Sequence, residues 1–258
     1  MKQLSEYRGS RRHVLEWVDQ PGFREEFAAL IDSPRIQLDD PATWQPLGIT
    51  EPTEATLDTF GPKHFPDPLI WDTLAAWWLI NRSGARTPTW DLAAPALIEG
   101  RRGLVLVEAK ANVPELGIGG KPKKGTPSER SAENHDQIVR AVAAASTALA
   151  ALIPGVKLGI TSHYQLASRL AFTWKLASLG VPTVLVYLGF LGDKGISDAG
   201  EPFRNAGHWR KALLEHSHGV IPPALWERRL ESAAAPFWVV ERSRERLSDS
   251  PRRAKQTP

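Results

Sequence analysis

Cysteine is absent from the 258-residue chain. That excludes disulfides, thiolate nucleophiles and cysteine-ligated zinc, and it fits a reducing cytoplasm. Long apolar runs are missing too. The longest, Ala141 to Ile153, falls short of the roughly 20 residues that a membrane span needs. The opening MKQLSEYRGSRRH has no apolar centre for a secretory signal. A soluble, cytoplasmic protein with no membrane partner is therefore expected. There is no internal repeat, and no G-x-x-x-x-G-K-[ST] pattern, so the loop GIGGKPKKG is not a nucleotide cradle of that kind.

Charge of a single sign is also scarce, with 32 basic against 29 acidic residues. The whole excess of +3 lies in the stretch Glu241 to Pro258, which holds six of the basic and three of the acidic residues. A basic Pro/Ser/Arg segment of this kind reads equally as an anion-binding arm or as a solvated flexible tail. The remainder, 42% hydrophobic and 24% charged overall, is ordinary for a globular protein with a sizeable core.

The pattern divides the chain into an N-terminal helical and irregular extension (1–66), an α/β core with C-terminal helices (67–240) and the basic tail (241–258). Residues 12–31 are expected to be helical, with a short helix near Glu54 to Phe60. In PDPLIWDTLAAWWLIN, Asp67 caps a helix, Pro68 suits its first turn, and Ile70, Leu74, Trp77 and Trp78 share one face. TPTWDLAAPALIEGRRGLVLVEAKAN predicts two strands joined at Gly100–Gly103, with Pro95 placing the first at an edge or a bulge. Thr126 with Glu129, and Ser162 with Gln165, match capping boxes for two further helices. VPTVLVYLGFLGD reads as a strand apolar on both faces. Two short helices and a strand over 237–240 are expected beyond it.

GLVLVEAKAN carries the chemistry. Side chains alternate along a strand, so Glu108 and Lys110 share a face, about 7 Å apart. A carboxylate suits Mg²⁺, and lysine can offset charge on a phosphate or orient and deprotonate a water. Asp91 lies 17 residues earlier, on the preceding arm of the hairpin. Folding back could bring the two carboxylates together.

At these residues the sequence resembles the PD-(D/E)XK nuclease superfamily, with Trp90-Asp91, a hairpin, and VEAK at 107–110. Proline does not precede Asp91, and the literal Pro66-Asp67 is better explained as a helix cap. The resemblance implies a restriction-endonuclease-like mixed sheet flanked by helices on both faces. It implies that Asp91 and Glu108 bind Mg²⁺ (Mn²⁺ substituting) and that Lys110 stabilises the transition state or activates water. Asp72 or Glu54 would supply a further acid, and Gln137 a helix-borne site group, although Ala141 stands where that submotif often has tyrosine.

DNA is the expected partner, RNA is not excluded, and a homodimer is allowed. Lys121, Lys123, Lys124 and Arg169 could contact a nucleic-acid backbone or simply face solvent. His163, His208, His216 and His218 read as surface residues. The expected activity is Mg²⁺-dependent hydrolysis of DNA phosphodiesters. Alanine at Glu108 or Lys110 should then abolish cleavage and leave the fold intact. The alternatives are a non-catalytic nucleic-acid-binding or assembly subunit of the same fold, and a metal-dependent phosphodiesterase for another substrate.

Overall fold

Leu104 to Val107 are apolar at every position, as suits a strand covered on both sides, and they lie in the middle of a six-stranded sheet. A computed structural model describes residues 6–246 except 66, 84 and 124. Its N-terminal elements are helices α1 (Gly9–Val18) and α2 (Phe23–Ile31), strands β1 (Ile36–Leu38) and β2 (Ala55–Thr56), and helices α3 (Leu57–His64) and α4 (Pro68–Trp78). Strands β3 (Thr89–Trp90), β4 (Leu92–Ile98) and β5 (Arg101–Lys110) follow, then helices α5 (Val113–Leu116), α6 (Glu129–Leu152) and α7 (Tyr164–Ser178). The chain continues through strand β6 (Thr183–Leu191), helix α8 (Ala206–Ser217) and strands β7 (Arg229–Glu231) and β8 (Pro236–Glu245).

The sheet order is β1-β4-β5-β6-β8-β7, and β2 pairs with β3 in a small second sheet. Strands β1, β4 and β5 run antiparallel, β5, β6 and β8 run parallel, and β7 closes the far edge antiparallel. Alternation sorts the core onto two faces. Leu104, Leu106, Leu185, Tyr187, Phe237 and Val239 share one apolar cluster with α6, α7 and α8. Val105, Val107, Val184, Val186 and Phe190 share the other with Val14, Trp17, Phe23 and Phe27 of α1 and α2. The architecture is a mixed α/β sheet flanked by helices. No helix among the described residues is long and apolar enough to cross a membrane.

Several expectations need correction. The described residues of the expected 1–66 extension join the core, because α1 and α2 cover one face of the sheet and β1 pairs with β4. The single helix over 12–31 is two, since Pro21 cannot continue α1 and Gly22 takes a φ of 79°. The short helix lies over Leu57–His64. The hairpin turns at Glu99 and Gly100, both at positive φ, which matches a tight two-residue turn. Gly103 instead lets two backbones approach, because a Cβ there would meet the Pro182 carbonyl at 2.4 Å.

Pro95 sits in an interior strand, yet its carbonyl accepts from Asp39 N just beyond the end of β1. Its missing N–H therefore points to where the neighbouring strand has already stopped. Ser128, not Thr126, caps α6, and His163, at φ 50°, precedes α7 in place of a Ser162 cap. Glu241–Glu245, assigned to the tail, extend β8 alongside β6. The rest of that tail from 247 lies outside the described residues. Asp67 does cap α4, its carboxylate accepting from Leu69 N at 2.9 Å.

Gly189 of β6 lies against the indole of Trp209, where a Cβ would fall 2.5 Å from the ring. The contact is at the root of a fully buried side chain, which has little room to yield. Gly189→Ala is expected to cost about 1–3 kcal/mol by overpacking. Thermal melting checks this, and an unchanged Tm would show that Trp209 can shift freely.

Candidate active site

The hairpin register places the acids. Leu92 pairs with Val107, and Asp91 occupies the bend just before β4, which brings its carboxyl beside the end of β5 near Glu108. Asp91 Oδ2 accepts from Ala109 N at 2.8 Å, fixing its carboxyl against β5. On the other side Glu108 adjoins Tyr187, and Lys110 adjoins Gly189. The cluster sits near the carboxyl ends of the parallel strands, where open α/β sheets bind ligands.

Glu108 is only 1% exposed, and both of its oxygens are engaged. Lys110 Nζ donates to Oε1 at 2.5 Å, and Arg169 Nε of α7 donates to Oε2 at 2.5 Å. Arg169 Nη2 also donates to the Thr89 carbonyl at 2.7 Å, and the guanidinium lies 4.7 Å from the Trp90 ring centroid. The Tyr187 hydroxyl is buried without a hydrogen-bond partner.

Electrostatics separates the two acids. Burial, then the adjacent Glu108 charge, pushes Asp91 up to about 7, with Lys110 and the Ala109 N–H opposing. Burial also works against ionisation of Glu108, but Arg169 and then Lys110 outweigh it and hold its carboxyl below the ordinary range. Neighbouring carboxyl groups with opposite shifts are a feature of functional sites, though structural ion pairs produce it as well.

The other sequence-derived candidates are placed differently. Asp72 is exposed on α4 and pairs with Arg82 at 3.5 Å. Gln137 donates to the Ala76 and Trp77 carbonyls at the end of α4, which makes it a structural tie. Glu54 pairs with Arg11 at 3.1 Å. Its neighbour Ala55 faces Trp90, so Glu54 falls close enough to help raise Asp91. Lys123 is exposed and pairs with Asp136, and Lys121 lies 5.0 Å over the Tyr164 ring. Lys124 lies outside the described residues. Arg169 is buried on Glu108 rather than presented on a surface.

Two clefts flank the buried cluster. One, of about 390 Å³, is lined by Arg86, Thr89, Lys121, Tyr164, Gln165 and Arg169. The other, of about 440 Å³, is lined by Ile118, Arg204, His208, Lys211 and His216 among others. Between them the strap 117–121 is tied down by His163 N to Ile118 O, Tyr164 N to Gly119 O, and Lys121 N to Ile160 O. These bonds give α7 its start at Tyr164. His216 is buried rather than exposed, and its ring lies tilted against that of His163, with centroids 4.9 Å apart. Burial, then His163 and Lys110, pushes it down to about 4, leaving it neutral at pH 7.

The sequence reading missed the partnership of Arg169 with Glu108 and the burial of His216. A partial signal existed for Arg169, because it is flanked by Leu166, Leu170 and Phe172, and a charge among apolar neighbours that become buried needs a partner. Mg²⁺ is commonly held by one or two carboxylates, with water and substrate phosphates completing the shell. Asp91 and Glu108 fit that donor set. Among the described residues no three or more His, Cys, Asp or Glu side chains are grouped to hold a cation.

No protein-family model, curated protein or solved structure matches this chain.

Proposed function

We propose that the chain is a Mg²⁺-dependent nuclease that hydrolyses DNA phosphodiesters through a restriction-endonuclease-like core. The observation that supports this reading is the Asp91 carboxyl held on Ala109 N, between Glu108 and Lys110, which share a face of β5. Asp91 and Glu108 would hold the ion, which when bound polarises the phosphate and acidifies a water. Lys110, adjoining Glu108, supplies positive charge for the oxygens of the transition state. Hydrolysis adds water across one P–O bond and leaves a phosphate monoester and a hydroxyl. The cleft with Arg86 and Lys121 offers cations to a nucleic-acid backbone, whereas in the other Arg204 and Lys211 pair with Glu201 and Glu215.

A specific observation favours a second reading, in which the same fold binds nucleic acid without cutting it. Both Glu108 oxygens already hold cationic side chains, an arrangement that is stable without a metal. Cleavage assays on plasmid, linear and single-stranded DNA and on RNA, with Mg²⁺ or Mn²⁺, decide between the two. Asp91→Asn and Lys110→Met should each lower cleavage at least 100-fold, with Asp91→Asn keeping the fold. Salt-sensitive binding with no cleavage by the wild type would favour the second reading, and cleavage of small phosphate esters alone would redirect the substrate class. If both variants cut normally, the assignment of the site is wrong.

A further inference from the structure

Taking the metal-dependent reading above as its premise, the way Glu108 is closed has a consequence for the order of binding. A cation approaching Glu108 meets a carboxylate whose Oε2 is held by Arg169 and whose Oε1 is held by Lys110. Arg169 is itself anchored by the Thr89 carbonyl and the face of Trp90. With both acids ionised, the charges of Asp91, Glu108, Lys110 and Arg169 cancel. A divalent ion entering alone would add two positive charges to a buried neutral set, and would have to separate a guanidinium from its carboxylate. Both effects oppose binding.

A phosphodiester reverses both. Arg169 lines the cleft that also holds Arg86, Thr87, Lys121 and Tyr164. A backbone phosphate lodged there offers the guanidinium a charged, two-pronged acceptor in exchange for Glu108. The same phosphate brings the negative charge that a cation needs. Arg169 thus stands between two anions, one built into β5 and one arriving through the cleft.

We infer that Arg169 is a substrate-operated latch, which keeps Glu108 closed to metal until a phosphodiester in the adjoining cleft takes the guanidinium over. Metal and polyanion then bind with positive coupling, and by linkage each strengthens the other equally. Arg169 is a positioning residue in this scheme, acting through Glu108.

The test measures Mn²⁺ binding by electron paramagnetic resonance of the free ion, using the full chain. Titrations are made with and without a phosphorothioate oligonucleotide, which keeps its charge and resists hydrolysis, and Mn²⁺ bound by the oligonucleotide alone is subtracted. The wild type should bind Mn²⁺ at least tenfold more tightly with the oligonucleotide present. Arg169→Gln should bind Mn²⁺ alone about as tightly as the wild-type complex does, with less than a threefold further gain. Should Arg169→Gln fail to fold by circular dichroism, Arg169→Lys, which keeps the charge but not the two-pronged fork, takes its place, and a variant that gains no affinity for Mn²⁺ alone overturns the latch.

Equal Mn²⁺ affinity of the wild type with and without the oligonucleotide overturns the latch and leaves the metal-dependent reading standing. Absence of Mn²⁺ binding under every condition overturns both.

Discussion

Glu108→Ala will destabilise the protein by about 3–5 kcal/mol, as is usual when one partner of a buried ion pair is removed. The carboxylate is the shared counter-charge of Lys110 and Arg169, which are 5% and 7% exposed. Deleting it leaves two cations under cover, with Asp91 the acid that remains beside them. The burial of both cations argues against the expectation that alanine at this position leaves the fold intact. At roughly 2–4 °C per kcal/mol for a chain of this size, the loss should exceed about 6 °C in Tm. Replacing Glu108, Lys110 and Arg169 together by apolar residues of similar volume should recover much of it, because a buried pair contributes little beyond its apolar substitute. Melting of Glu108→Ala within 2 °C of the wild type would mean that the cations find other partners or reach water.

Asp91→Asn should have the opposite effect, and its size should depend on pH. The Asp91 carboxyl, ordinarily near 3.8, is pushed up to about 7 in the folded chain by burial and then by Glu108. Below pH 4 it is protonated whether folded or unfolded, and ionisation costs nothing. Between pH 4 and 7 the unfolded chain releases the proton that the folded chain keeps, so wild-type stability falls as pH rises. Above pH 7 the penalty is complete, on the order of 4 kcal/mol by linkage. Asparagine preserves an oxygen for the Ala109 N–H and never ionises. The variant should therefore match the wild type near pH 4 and melt several degrees higher at pH 8, while losing cleavage. A Tm difference that stays constant from pH 5 to 8.5 would show that Asp91 titrates normally. On the reading proposed above, the pairing of gained stability with lost cleavage would separate a role of Asp91 in the chemistry from a role in the fold.

The features legible in the sequence were set by near neighbours. Asp67-Pro68 starts a helix by local hydrogen bonding, and Thr183 to Leu191 is buried throughout, and apolar at most positions, because helices cover both of its faces. Glu108 and Lys110 share a face by alternation alone, and two arms folded at a tight turn bring Asp91 beside them. What escaped depends on distant partners. Arg169 lies 61 positions from Glu108, and nothing in its own helix identifies which acid it meets. The GRRG stretch reads as a turn, yet Gly103 is required by the approach of Pro182 from a strand 80 residues further along. The α1 and α2 layer could not be assigned to the sheet, because an amphipathic helix shows that it covers something but not what.

The sheet also constrains the order in which the protein can assemble. The turn at Glu99 and Gly100 lets β4 and β5 pair at once, whereas the β5 and β6 register joins Leu104 to Thr183, 79 positions apart. Closing so long a loop is costly before any contact repays it, and sheets with such distant pairings fold slowly. The hairpin bearing Asp91 and Glu108 is thus suited to form early. It carries its own counter-charge, because Lys110 of the same strand pairs with Glu108 before α7 delivers the second cation, Arg169.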